Sequence, residues 1–170
     1  MATEQEATVE EIRDQVRAVH RTYPTGVAVV TTAEDGAPYG LACNAFSSVS
    51  LDPPLVLVCV NTSAQTHEHL HRGLHLGINF LAHDQIEVAN RFATSGGDKF
   101  SDTEWAPGQT GVPVLHGVAS HVETEIAERI PAGTHTIFLC RVVTAVSHGR
   151  PPLVYLGGGF FDGGQLVPLA

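Results

Sequence analysis

A mainly β, antiparallel barrel with a few peripheral helices is the fold class this sequence predicts. Three observations carry the prediction. Runs of β-branched and apolar residues of strand length recur from Gly26 onward. Helical spacing appears in only three places. The two kinds of segment do not alternate as they would in a doubly wound sheet. The 170 residues are expected to form one domain, 1–170, with a helix over about 8–21 and the barrel over about 25–170.

The elements follow in order. Thr8 and Glu11 form a T-x-x-E capping box, and Ile12, Val16, Val19 and Tyr23 recur at helical spacing behind it. Pro24 ends that helix. GVAVVTTA at 26–33 reads as a strand, and Glu34-Asp35-Gly36 turns the chain into a second one near 38–49. Pro53-Pro54 interrupts pairing before the buried strand 55–60. Residues 63–72 have helical promise and HLGINFL at 75–81 looks like a strand. Asp84 and Glu87 suggest a capped helix reaching about 94. Residues 95–112 form a long loop rich in Gly, Asp, Ser and Thr, and long ordered loops are often functional. Strands return at about 114–128 and 134–146, separated by Pro131-Ala132-Gly133. Val118, Val122 and Ile126 mark one buried face of the first. LVYL at 153–156 and a short segment near Gln165–Leu169 complete the chain.

Composition narrows the function. Nine Lys+Arg stand against eighteen Asp+Glu, a formal charge of -9, which argues against a general nucleic-acid binder. The cations are eight Arg and the single Lys99, each a candidate phosphate partner. No apolar run is long enough to span a bilayer, and the acidic start MATEQEATVEE is unlike a signal peptide. The expected location is cytoplasmic, with no membrane partner. Cys43, Cys59 and Cys140 lack disulfide or zinc spacing. No dinucleotide-binding G-x-G-x-x-G, P-loop or G-x-S-x-G elbow is present. His67, His71 and His75 fall at i, i+4 and i+8, but Gly73 interrupts the helix they would share. A solvated polar face is the plainer reading, and no metal site is expected.

The stretch GLACNAFSSVSLDPPLVLV at 40–58 is the most informative. Small side chains let the backbone approach a flat ligand, and backbone and hydroxyl groups can then read its edge. Cys43, Asn44, Ala45, Ser47 and Ser48 suit that task, with Phe46 available for packing. The same residues suit the tight interior face of a barrel strand equally well.

This stretch has ordered companions. They are PTGVAVVTT at 24–32, Ser63-Ala64-Gln65-Thr66, INFL at 78–81, RFAT at 91–94, Asp98-Lys99-Phe100, PVLHGVAS at 113–120, GTH at 133–135 and PLVY at 152–155. In that order they resemble the short-chain flavin reductase family, over about 16–161. The resemblance implies an antiparallel FMN-binding split β-barrel that reduces FMN or FAD with NADH or NADPH. It also implies a homodimer that supplies reduced flavin to a separate flavin-dependent monooxygenase.

By the same resemblance, Asn44, Ala45, Phe46 and Ser47 line the isoalloxazine, with Cys43 in the motif and Thr25 beside it. Ser63, Gln65 and Thr66 meet the ribityl chain and phosphate, and a helix start at Thr66 would add N–H groups for an anion. Phe92, Lys99 and Phe100 close over the phosphate or the adenine of FAD. His135 lies near the nicotinamide. Hydride transfer from nicotinamide C4 to flavin N5 needs two stacked rings rather than a protein nucleophile. The sequence departs from the family at Ala42 and Ala45, where hydroxyls are common, and at Thr134, Leu156, Phe160 and Phe161. These departures motivate a second expectation, a flavin enzyme of the same fold acting on another organic substrate. A third is a non-catalytic flavin- or haem-binding protein.

Overall fold

The computed structural model describes residues 7–169. The acidic segment 1–6 and residue 170, included in the single-domain expectation, lie outside the described residues. Helix α1 (Val9–His20) starts behind the complete capping box. The Thr8 hydroxyl accepts from the Glu11 N–H, and the Glu11 carboxylate accepts from the Thr8 N–H. Arg17 and His20 in its last turn suit the negative end of the helix dipole. None of its side chains is buried, and Val9, Ile12, Val16 and Val19 stand exposed with Tyr23.

The strands and helices that follow are β1 (Thr25–Gly26), β2 (Ala28–Glu34), β3 (Ala37–Cys43), β4 (Phe46–Leu51), β5 (Pro54–Asn61), α2 (Gln65–Arg72), β6 (His75–Phe80) and α3 (Ile86–Ala93). After them come β7 (Trp105–Pro107), β8 (Pro113–Leu115), β9 (Ser120–Ala132), β10 (His135–Ser147), β11 (Leu153–Leu156) and β12 (Gly159–Asp162). Seven strands make one antiparallel sheet in the order β3-β2-β6-β9-β10-β5-β4. Its two edges, β3 and β4, are consecutive in the chain and joined only by Asn44 and Ala45. That link spans roughly 10 Å at most, so the sheet must curl until its edges approach. The Cys59 N–H donates to the Ala45 carbonyl at 3.0 Å and carries the β4–β5 pairing into the link. The result is the expected split β-barrel. A small sheet β1-β11-β12 and the pair β7-β8 flank it.

Strand β2 explains how the core is divided. Ala28 and Val30 point into the barrel, where they pack with Val58, Ile78 and Phe138, and Leu70 of α2 joins them. Val27, just before the strand, and Val29 point outward beneath α3, to Leu81, Phe92, Leu115 and Leu153. A strand covered on both faces reads as a continuous apolar run rather than an alternation, as AVV does here.

Several local expectations change. The strand at 38–49 is two strands, broken at Asn44-Ala45 by the seam. Pro53-Pro54 does not simply interrupt pairing, because Leu51 pairs with Pro54 across a tight hairpin. Asp84 does not cap α3. Its N-cap is Gln85, and Asp84 instead pairs with Arg150 at 2.6 Å, 66 residues away. Pro131 belongs to β9, and the β9–β10 turn is at Gly133-Thr134. The 95–112 loop contains β7, and β12 stands where no strand was expected.

Candidate functional site

Strand β3 carries the site along its length. Leu41 and Cys43 join the barrel core, whereas Ala42 and Gly40 face α3 and the 98–100 segment. A Cβ at Gly40 would come within 2.9 Å of Phe92 and 3.2 Å of Phe100, so only glycine lets these rings close beneath the strand. Four cavities follow, the last three sharing Asn44 in their walls. One of about 410 Å³ holds Tyr39, Gly40, Gln65, Thr66, His69, Lys99 and Phe100 in its wall. The next, about 450 Å³, lies between Ala42, Cys43, Asn44 and the Ala89–Ala93 face of α3, with Tyr155 and Phe160. The third, about 540 Å³, has Thr25, Asn44 and Ala45 facing Tyr155, Gly157 and Gly158, with Arg17, His20 and Arg21 at its rim. A smaller one of about 180 Å³ holds Thr25, Cys43, Asn44 and Phe46.

The fold therefore gathers the predicted residues into two groups. Thr25, Cys43, Asn44, Ala45 and Phe46 stand together at one end of β3. Gln65, Thr66, Lys99 and Phe100 stand together at the other. Gly40 and Asn44 are four residues apart, roughly 13 Å along an extended strand.

Individual atoms indicate what each end can hold. The Thr25 hydroxyl is buried with no hydrogen-bond partner in the described structure. An unmet buried hydroxyl costs about 1–3 kcal/mol, which a ligand's polar edge would recover. Helix α2 begins at Gln65 behind Ala64, which supplies no side-chain cap, and its first residues Gln65 and Thr66 line the 410 Å³ cavity. Thr66 is 5% exposed and its hydroxyl donates to the Gly40 carbonyl at 3.0 Å. Lys99 Nζ donates to the Phe92 carbonyl at 3.3 Å, leaving ammonium protons available for an anion. Burial lowers the Lys99 pKa from its ordinary value of 10.5 by removing water from the charge. These features fit a ligand with a flat polar edge and a phosphate.

Other predicted residues occupy different surroundings. Phe92 is 1% exposed and packs edge-on against Phe100, so it supports the floor rather than forming its surface. Ser47 is exposed and donates to the Ser48 carbonyl. The Ser63 N–H and hydroxyl both donate to Asn61 Oδ1. His135 opens β10 opposite Asn61, with Nδ1 3.0 Å from the Thr134 hydroxyl. Ser47, Ser63 and His135 are not among the residues lining these four cavities. Burial pushes the Cys43 thiol up to about 11, so it stays protonated at neutral pH and offers bulk rather than a thiolate.

Among the described residues, no group of three or more His, Cys, Asp and Glu side chains is placed to hold a metal ion. His75 begins β6, off the helix of His67 and His71. No described helix is long and apolar enough to cross a membrane. Sequence reasoning missed the wall residues Tyr39, His69, Asn90 and Gly158 and the rim residue Arg21, and named Phe160 only as a departure from the family. Tyr155 had a signal in PLVY, but it carried no assigned role.

A split barrel with cavities at both ends of its edge strand β3, one end suited to a flat polar edge and the other to a phosphate, is a cofactor-binding barrel. The chain belongs to the Flavin reductase like domain family, which matches residues 20–164. It is 38% identical over 146 residues to the reductase component of 4-nitrophenol 4-monooxygenase/4-nitrocatechol 2-monooxygenase of Rhodococcus opacus, covering 86% of this chain and 77% of that one. A probable flavin reductase of Rhizobium meliloti is 39% identical over 140 residues. There the match covers 82% of this chain but only 45% of the longer relative. Among solved structures, the Streptomyces globisporus NADH:FAD oxidoreductase SgcE6, in complex with NAD and FAD fragments, aligns with a TM-score of 0.86 at 36% identity. It covers 96% of this chain and 98% of that one.

Proposed function

We propose that this chain is an NAD(P)H:flavin oxidoreductase that reduces FMN or FAD and releases the reduced flavin to a separate monooxygenase. The observation that carries this reading is the unmet Thr25 hydroxyl beside Asn44 and Ala45, joined along β3 to the Lys99 and Thr66 end. NADH is the favoured donor, since relatives are named as NADH-dependent reductases of FAD or FMN.

Bound flavin would accept at N5 a hydride from nicotinamide C4. The chain's own residues hold and orient. Thr25 and the Asn44-Ala45 backbone would meet the polar edge of the ring, and Ala42 and Ala45 leave the strand narrow enough for close approach. Gln65, Thr66 and Lys99 would hold the phosphate. Tyr155 and Phe160 exclude water from the opposite side. His135, if it attends the nicotinamide, does so from outside the cavities described.

The test is direct. Purified protein with FMN or FAD should oxidise NADH at a rate proportional to flavin, and the absence of turnover with either flavin and either nicotinamide would sink the reading. We also propose a cytoplasmic homodimer that covers the exposed α1 stripe of Val9, Ile12, Val16 and Val19. Light scattering should give a dimer mass for the wild type and a monomer mass for an Ile12→Glu, Val16→Glu variant. A monomeric wild type would refute it.

A further inference from the structure

The 410 Å³ cavity beside α2 has two unlike walls. One carries Lys99 and the first residues of α2, Gln65 and Thr66, with the Asp98 carboxylate beside them accepting from the Phe100 and Ser101 N–H groups. The other is a flat aromatic pair. The rings of Tyr39 and His69 stack with centroids 3.4 Å apart and planes 15° from parallel. The pair is braced from behind. His69 Nδ1 lies 2.5 Å from Glu34 Oε2, and Arg72 grips both Glu34 oxygens at 3.0 Å. Such a brace fixes the ring plane before any ligand arrives, which removes part of the ordering cost of binding. Gly40 and Gly97 add no side chains between the walls.

An aromatic wall facing a cation matches the two needs of a nucleoside phosphate. The base needs a face to stack on, and the phosphate needs a positive partner. FMN would use only half of this cavity. Its phosphate would reach Lys99 while its ring lies toward Asn44, roughly 13 Å along β3. The Tyr39–His69 wall would then meet nothing.

We propose that Tyr39 and His69 form the adenine platform for the adenylate half of FAD, so that the protein selects FAD over FMN. This rests on the flavin reductase reading given above. An adenylate could also arrive as part of the nicotinamide dinucleotide. FAD is favoured because the same cavity holds Gln65, Thr66 and Lys99, the residues placed for a flavin phosphate.

The experiment measures dissociation constants for FAD, FMN and riboflavin, and the KM for NADH, in the wild type and in Tyr39→Ala. The wild type should bind FAD more tightly than FMN. Tyr39→Ala should weaken FAD roughly 10-fold or more, the scale of one lost base stack. FMN, riboflavin and the NADH KM should not move, and Tyr39→Phe should restore FAD binding. Equal weakening of FAD and FMN overturns the platform, because a merely structural ring would do that. A rise in the NADH KM with FAD unchanged assigns the adenylate to the donor and overturns FAD selection. If Tyr39→Ala does not fold, competition on the wild type decides, with AMP expected to displace FAD but not riboflavin. Failure of AMP to compete with FAD also overturns the proposal. A wild type that binds no flavin at all overturns the flavin reductase reading instead.

Discussion

Replacing Glu123 by alanine is expected to lower stability by about 3 kcal/mol, from three lost hydrogen bonds at roughly 1 kcal/mol each. For a chain of this size that is a fall in Tm of roughly 6–12 °C. Glu123 lies in β9 and is only 3% exposed. Its carboxylate accepts from the Gln109 N–H at 3.0 Å, the Thr110 N–H at 2.7 Å and the Thr110 hydroxyl at 2.8 Å. These bonds fasten the far end of the 95–112 loop, whose near end carries Lys99. Gly108 belongs to the same latch, since a Cβ there would come within 2.5 Å of the carboxylate.

The latch should also be acid-sensitive. Burial by itself would raise the Glu123 pKa, but the bonds from Thr110 and Gln109, with a smaller contribution from His121, hold it below its ordinary value of 4.5. A carboxylate depressed in the folded state contributes stability that is present above the unfolded value. That contribution is lost as pH falls through the folded one. Chemical unfolding across this acid range should therefore show a steeper loss for the wild type than for Glu123→Gln, which has no charge to titrate. Identical acid profiles would remove the charge from the latch.

Lys99→Ala is expected to weaken FMN and FAD roughly 10- to 100-fold, the scale of one charge-assisted hydrogen bond of about 1.5–3 kcal/mol. Riboflavin, which has no phosphate, should bind as before. The cause is local. Lys99 is the only lysine of the chain, and it stands in the same cavity wall as Thr66 and the uncapped turn of α2. Its own hydrogen bond, to the Phe92 carbonyl, tethers the ammonium without neutralising it. Equilibrium titration followed by flavin fluorescence checks this. Equal weakening of all three flavins would place Lys99 in the loop's structure rather than at the phosphate.

Aromatic residues show where residue order stops being informative about the site. Phe92 and Phe100 sit in pieces that resemble a flavin-covering segment. In the fold, Phe92 is a core residue under Gly40, while Phe100 reaches the cavity wall. Nothing within a few residues of either distinguishes the two roles. Tyr39 and His69 had no sequence signal at all, because they meet only when α2 packs against the edge of β3. The Asn44-Ala45 seam was hidden for a similar reason. Asn44 and Ala45 are weak strand formers, but residue preference does not show that the strand ends there; the break comes from joining opposite edges of one curled sheet. Strand β12 is four residues long and glycine-flanked, and its pairing with β11 is non-local information.

The GLACNAFSSVS stretch and its ordered companions were legible because they depend on residue type and spacing alone. So were the Thr8–Glu11 cap, the Asp35-Gly36 turn and the strand-length β-branched runs. Each is decided within a few residues by backbone sterics, capping and side-chain size. Which strands became neighbours, which aromatic rings turned inward and which salt bridges formed was decided by packing. Asp84 could cap its own helix or pair with Arg150. Only a register that buries both faces of β2 and closes the sheet at Asn44 determines which distant partner is within reach.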